Sequence, residues 1–148
     1  MNGYIISLSI AAILLITLYF VAEDCYGDLV KQQQPDGFLK LLRAIEIRES
    51  GSRADAVGDD GAAVGSFQLH KIYVRDVNRI LGYKAYTYFD RWNRQKSCSM
   101  ASTYLLYYGK GLTLEQIARN HNGGGPDGWK KKCTQSYGKA VMQIYKEL

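Results

Sequence analysis

The residues best placed to do chemistry lie between Ala44 and His70, in AIEIRESGSRADAVGDDGAAVGSFQLH. Glu49 falls in the last turn of an apolar helical pattern, two residues before Gly51. A Gly- and Asp-rich segment follows, then Gly65-Ser66-Phe67-Gln68. An apolar helix that ends on a carboxyl, next to a glycine-rich turn, suits a partly desolvated acid at the edge of a cleft. Such an acid must keep its proton until it acts, which requires burial. Protonating the leaving oxygen of a glycosidic bond, while an oxocarbenium-like centre develops, is one reaction with that requirement. Glu46 is the rival acid; it lies roughly 60° around the helix from Glu49 and one turn further from Gly51.

The elements that must position these groups read as helices and one small hairpin. Asp36 is a candidate N-cap for a helix with Phe38, Leu41, Leu42, Ile45 and Glu49 on one stripe, stopped by Gly51. Asp59-Asp60-Gly61, between Ala56-Val57-Gly58 and Ala62-Ala63-Val64, signals an irregular hairpin. Ser66 is read as the cap of a second helix with Phe67, Tyr73, Val77 and Ile80 or Leu81 buried, ended by Gly82. Tyr83 to Asn93 is a loop carrying Tyr83, Tyr86, Tyr88, Phe89 and Trp92. Aromatic loops beside clefts often stack on sugars, but filling the core beneath the loop is the favoured reading for most of these rings. A third helix spans Ser97 to Tyr108, with Ala101, Leu105 and Tyr108 on one face and Gly109 as its stop. Thr113 and Gln116 form a capping box for a short helix through Arg119. His121 to Gly128 reads as a tight loop, and Tyr137, Val141, Ile144 and Leu148 stripe a last helix.

The chain has 148 residues, enough for one domain with a real core. Gly3 to Ala22 holds no charged residue; as a helix at about 1.5 Å per residue it would reach roughly 30 Å, the thickness of bilayer hydrocarbon. A cleaved signal peptide and an uncleaved anchor both stay open. The length of the run and the poor small-residue cleavage site, with Phe20 two places before Ala22, favour the anchor. Residues 23–35 read as a polar tether and 36–148 as the domain. All of the +5 formal charge falls after the apolar run, which suits an anionic polymer or surface. Nucleic acid fits the charge, but no nucleic-acid-binding module is recognisable, and that partner is not expected. Cys25, Cys98 and Cys133 match no zinc spacing; no metal or cofactor is expected. Cys98 and Cys133 could pair in an oxidising compartment, or each could be a buried free thiol.

Three short motifs, in order, resemble those of lysozyme-like lytic transglycosylases, the group that includes goose-type lysozymes. Glu49-Ser50 resembles their "ES" motif, Gly65-Ser66-Phe67-Gln68 their "GLMQ" segment, and His121-Asn122-Gly123-Gly124 their "AYN" segment. The resemblance spans about Phe38 to Tyr145. It implies a mainly α, lysozyme-like fold with a small β-hairpin beside the cleft. It implies peptidoglycan as substrate, cut between N-acetylmuramic acid and N-acetylglucosamine by a monomer working outside the cytoplasm. Glu49 would be the single acid and then base. Ser50 would help position Glu49 or the glycan. Gln68 would line the cleft, Asn122 would contact sugar, and the loop at Gly123 would let backbone approach it. Tyr137 would face Glu49 across the cleft. His121 stands where the family has Tyr and is given no proton-transfer role.

Three other readings compete. A hydrolase would use Asp59 or Asp60 with Glu49, although Asp-Asp-Gly is good turn chemistry by itself. A non-catalytic domain could hold glycan without cutting it. A structural membrane protein would leave the Gly-rich loops and the ordered Glu49, Gln68 and Asn122 unexplained.

Overall fold

Phe38, Leu41, Leu42 and Ile45 recur at helical spacing and form the buried face of helix α1 (Phe38–Ser50) in the computed structural model, which describes residues 35–148. The apolar run 1–22, Cys25 and the tether up to residue 34 lie outside the described residues. Among the described residues, no helix is long and apolar enough to cross a membrane. Asp36–Leu148 form a compact, mainly helical unit. After α1 come the strands β1 (Val57–Gly58) and β2 (Ala63–Val64), then α2 (Lys71–Leu81), α3 (Arg94–Tyr108), α4 (Leu114–Gly123) and α5 (Gln135–Glu147). Helix α1 packs mainly on α5, α5 on α4, and α3 on both α2 and α4. Leu41, Ile45, Phe67, Val77, Met100, Leu105, Ile117 and Val141 meet in the core. Each such side chain contributes roughly 1.5–3 kcal/mol by leaving water.

The two ends of α1, the C-terminus of α2 and the N-terminus of α4 follow local chemistry with one exception. Gly51 (φ 61°) closes α1 by donating its N–H to the last-turn carbonyls, and Gly82 (φ 78°) closes α2. Thr113 and Gln116 cap α4 reciprocally. The exception is Asp36. The N-cap of α1 is Gly37, with no side-chain cap. Gly37 sits at φ 78° with the Tyr145 hydroxyl packed where a Cβ would stand. A tertiary contact therefore sets the start of the helix one residue later than the capping signal does.

The hairpin pairs Val57 with Val64 and Gly58 with Ala63, closed by a 3₁₀ turn over Asp59–Gly61. Asp59 and Asp60 both take left-handed backbone (φ 48° and 51°), which Asp tolerates better than most residues. The chain does not enter a helix at Ser66. Val64 bridges Leu69, so Gly65-Ser66-Phe67-Gln68 is a second tight turn, and α2 begins at Lys71. Gly65 (φ 80°) and Gln68 (φ 49°) are left-handed and cannot belong to a right-handed helix. The buried Arg91 clamps the turn: Nη1 donates to the carbonyls of Ala62 and Leu69 (3.0 and 2.9 Å), and its own carbonyl packs against Gly65 where a side chain would stand.

Helix α3 starts three residues before Ser97, at Arg94, because the Asn93 side chain accepts from Lys96 N–H. Helix α4 runs through Gly123 rather than stopping at Arg119, so His121 and Asn122 sit on its last turn. Buried Asn120 makes this extension: its amide donates to Tyr108 O (3.2 Å) and accepts from Trp129 N–H (2.8 Å). These bonds override the low helix propensity of Asn and Gly. In the aromatic loop only Tyr86 packs on the core; Tyr83, Tyr88, Phe89 and Trp92 are exposed. Leu148 is likewise exposed, beyond the buried part of the α5 stripe. Cys98 is half-buried, Cys133 is exposed, and both are free thiols.

Candidate active site

Glu49 ends the buried stripe of α1, and its side chain is only 17 % exposed. Tyr137, on α5, donates its hydroxyl to Glu49 Oε1 at 2.5 Å. Burial, reinforced by the Glu49 carboxylate, pushes the Tyr137 phenol well above its ordinary value, so Tyr137 stays a donor. His121, on α4, places Nε2 3.7 Å from the same Oε1. Its side chain is 4 % exposed, and burial lowers the imidazole below its ordinary 6.5 against the opposing pull of Glu49. The neutral ring has one consistent tautomer. Nε2–H donates to Phe67 O at 3.1 Å, and Nδ1 faces the Tyr73 hydroxyl at 3.4 Å. Tyr73, on α2, is itself pushed far up by burial and stacks on Tyr104. Four helices thus converge on one carboxyl. Tyr137 engages Oε1, and Oε2 has no hydrogen-bond partner among the described residues.

Beside this group lies a cavity of about 410 Å³, walled by Tyr73, His121, Asn122, the glycines 123–125, Asp76 and Lys131. Asn122 is exposed on that wall. Gly123 also lines it, with the Gly128 backbone packed against its Cα, so this glycine is needed for chain–chain approach. Ser50 is buried and ties the end of α1 to the second turn: its Oγ donates to Ser66 O at 2.8 Å and accepts from Arg53 N–H at 3.1 Å. That bond holds the last turn of α1, which carries Glu49, to the Gly65–Gln68 turn. Gln68 turns its amide inward, donating to Ala56 O (3.1 Å) and Gly65 O (2.9 Å), with Oε1 lodged against Gly58. It holds the hairpin to the turn and is not among the residues walling the cavity.

The rival carboxylates are engaged elsewhere. Glu46 is buried and grips Arg94 with both oxygens (2.5 and 2.8 Å), with Arg43 on Oε2 at 2.6 Å. The Arg94 hydrogen bond, opposed by burial, holds its carboxyl below the ordinary 4.5. Asp59 meets His70 at 2.9 Å on the exposed side of the hairpin, and Asp60 is exposed at the turn. Glu46→Gln is expected to cost about 1–2 kcal/mol, since Arg94 is half-exposed and screened, while leaving any activity that depends on Glu49 in place. A thermal melt and an activity assay on one preparation check both. Because the Glu46 value is lowered on folding, its contribution is present above pH 4.5 and is lost as pH falls below it.

His121 and Tyr73 are the site residues that sequence reasoning missed. A single His in a polar loop gives no local sign that it will be buried beside an acid, and Tyr73 reads as one more core ring at helical spacing. Among the described residues, no His, Cys, Asp and Glu cluster suits a metal ion. No protein-family model, curated protein or solved structure matches this chain.

Proposed function

We propose that residues 36–148 are a lysozyme-like domain that cleaves peptidoglycan as a lytic transglycosylase, with Glu49 as its acid and base. The observation that carries this reading is the Glu49 carboxyl itself. It is largely buried, held on one oxygen by Tyr137 and flanked by a neutral His121, whose ring also walls the neighbouring cavity. In the proposed reaction Glu49 Oε2–H gives its proton to the oxygen bridging N-acetylmuramic acid and N-acetylglucosamine. The C1–O bond breaks as oxocarbenium character develops at C1. The 6-hydroxyl of the same sugar then attacks C1, and its proton returns to Glu49. The product is a 1,6-anhydro sugar, and no water is consumed. Asn122, on the cavity wall, would hold sugar, while Ser50 and Gln68 act by fixing the two turns. The engagement of Asp59 by His70 and of Glu46 by Arg94 favours a single-acid mechanism over one needing a second carboxylate. Such a substrate lies outside the cytoplasm, where the apolar run 1–22 would deliver the domain as an anchor or signal peptide.

Product analysis tests the reading. The full chain, in mild detergent, is incubated with purified peptidoglycan and the fragments are weighed by mass spectrometry. Anhydro ends are expected. Reducing ends would replace the transglycosylase with a hydrolase, and uncut glycan that still binds the chain would leave a glycan-binding domain.

A further inference from the structure

A second groove, of about 840 Å³, lies between α2 and the aromatic loop. Arg75 and Arg79 on α2, with Lys84 on the loop, supply charge; Tyr83, Tyr88 and Phe89 supply ring faces. No carboxylate lines it. Arg79 is satisfied by Asp76 and Tyr108, but Arg75 and Lys84 make no ion pair among the described residues. The acids nearest in sequence are engaged: Asp76 by Arg79 and Tyr108, and Asp90 by Lys96 at 2.5 Å and by Thr87. The rings are unusually open for their size: Phe89 is 82 % exposed and Tyr83 67 %. The groove is also preformed. The Asn78 amide donates to Tyr86 O (2.8 Å) and accepts from Tyr86 N–H (2.9 Å), pinning the loop to α2. A preformed groove does not lose the entropy of ordering its walls when a ligand enters.

We infer that this groove is a second binding site for an anionic glycan strand, separate from the cavity beside Glu49. Open ring faces suit the C–H faces of sugars, and the Arg75 guanidinium and Lys84 ammonium, without an ion-pair partner among the described residues, suit the carboxylates that peptidoglycan carries on its lactyl and peptide branches. Helix α2 gives Tyr73 and Asp76 to the catalytic cavity and Arg75, Asn78 and Arg79 to the groove. A strand held at the groove therefore lies on the helix that also walls that cavity. The choice of wall glycan rests on the proposed activity; the groove's preference for an anionic, ring-stacking polymer does not.

The test uses the full chain in detergent. Glu49→Gln, which prevents cutting, is compared in co-sedimentation with insoluble peptidoglycan against the same chain carrying Phe89→Ser with Tyr83→Ser, or Arg75→Gln with Lys84→Gln. These side chains are exposed, and unchanged melting temperatures confirm the fold. Each double change is expected to weaken binding by about tenfold, and the charge pair's contribution is expected to disappear in high salt. With Glu49 intact, cleavage of a short soluble glycan fragment should be unchanged while cleavage of the insoluble wall slows. Equal binding by all variants would overturn the groove site. An equal loss of short-fragment cleavage would overturn it too, by tracing the effect to the catalytic cavity. Groove-dependent binding without any cleavage by the unsubstituted chain would keep the groove and defeat the activity.

Discussion

Glu49→Gln is expected to lower peptidoglycan cleavage by roughly 100- to 10,000-fold, the range lost when a positioned general acid is removed. The substitution keeps the shape of the side chain and an oxygen for Tyr137 to donate to, so the contact recorded at 2.5 Å survives in kind. It removes the transferable proton and the carboxylate that must take one back. The fold should therefore persist while the reaction stops. Release of soluble fragments from purified wall, compared at matched melting temperature, is the measurement. Wild-type rates from the Gln variant would move the chemistry away from Glu49. Glu46→Gln supplies the contrast: the same chemical change three residues earlier strikes an ion pair with Arg94 and Arg43 and should appear as lost stability instead.

The second large effect is expected at His121. His121→Ala removes a buried ring that joins Phe67 O, Tyr73 and Glu49. The lost hydrogen bond and the space left behind should cost about 2–3 kcal/mol. Freed from that wall, the Glu49 carboxyl should shift enough to cut the rate roughly 100-fold. His121→Gln can restore the donor to Phe67 O and should recover part of both losses. The pH profile separates a positioning role from simple packing. Protonating the imidazole would end its acceptance from Tyr73 and set a positive charge 3.7 Å from the acid that has to deliver a proton. Wild-type activity should therefore fall as pH drops through the lowered His121 value, and the Gln variant should lack that limb. The facing groups are Glu49, Tyr73 and the Phe67 carbonyl; burial outweighs the raising effect of the Glu49 charge. Stability follows the same sign. The folded value lies below 6.5, so the unfolded chain binds more protons in that window and stability declines as pH falls below 6.5. An Ala variant with an unchanged rate and an unchanged profile would reduce His121 to core packing.

The helical elements and the hairpin could be read from the chain because their causes are local. The stripe from Phe38 to Ile45, the stops at Gly51 and Gly82, and the Thr113–Gln116 box each depend on neighbours within a turn or two. The start of α3 was misread although its Asn93 cap is local, but three other misread boundaries share a different cause. Gly37 replaced Asp36 as N-cap because Tyr145, from the other end of the domain, packs on it. Ser66 was passed over as a helix start because Val64 bridges Leu69 and Arg91 clamps the turn. Helix α4 ran on to Gly123 because Asn120 found partners on Tyr108 and Trp129. In each case a distant group overrode a propensity worth less than a buried hydrogen bond.

By itself, the order of residues determined a mainly helical domain with a small hairpin, two acids three apart on its first helix, and a turn rich in glycine after them. Only the tertiary structure decided between those acids. Arg94, from α3, locks Glu46 into an ion pair, while Tyr137 from α5 and His121 from α4 close around Glu49. The physical reason is distance along the chain. These partners lie 48 to 88 residues along the chain from the carboxyls they meet, and no local pattern encodes which side of α1 each will reach. Packing of the apolar stripes fixes how the helices turn toward one another, and that orientation locks one carboxyl into an ion pair and sets the other beside Tyr137 and His121.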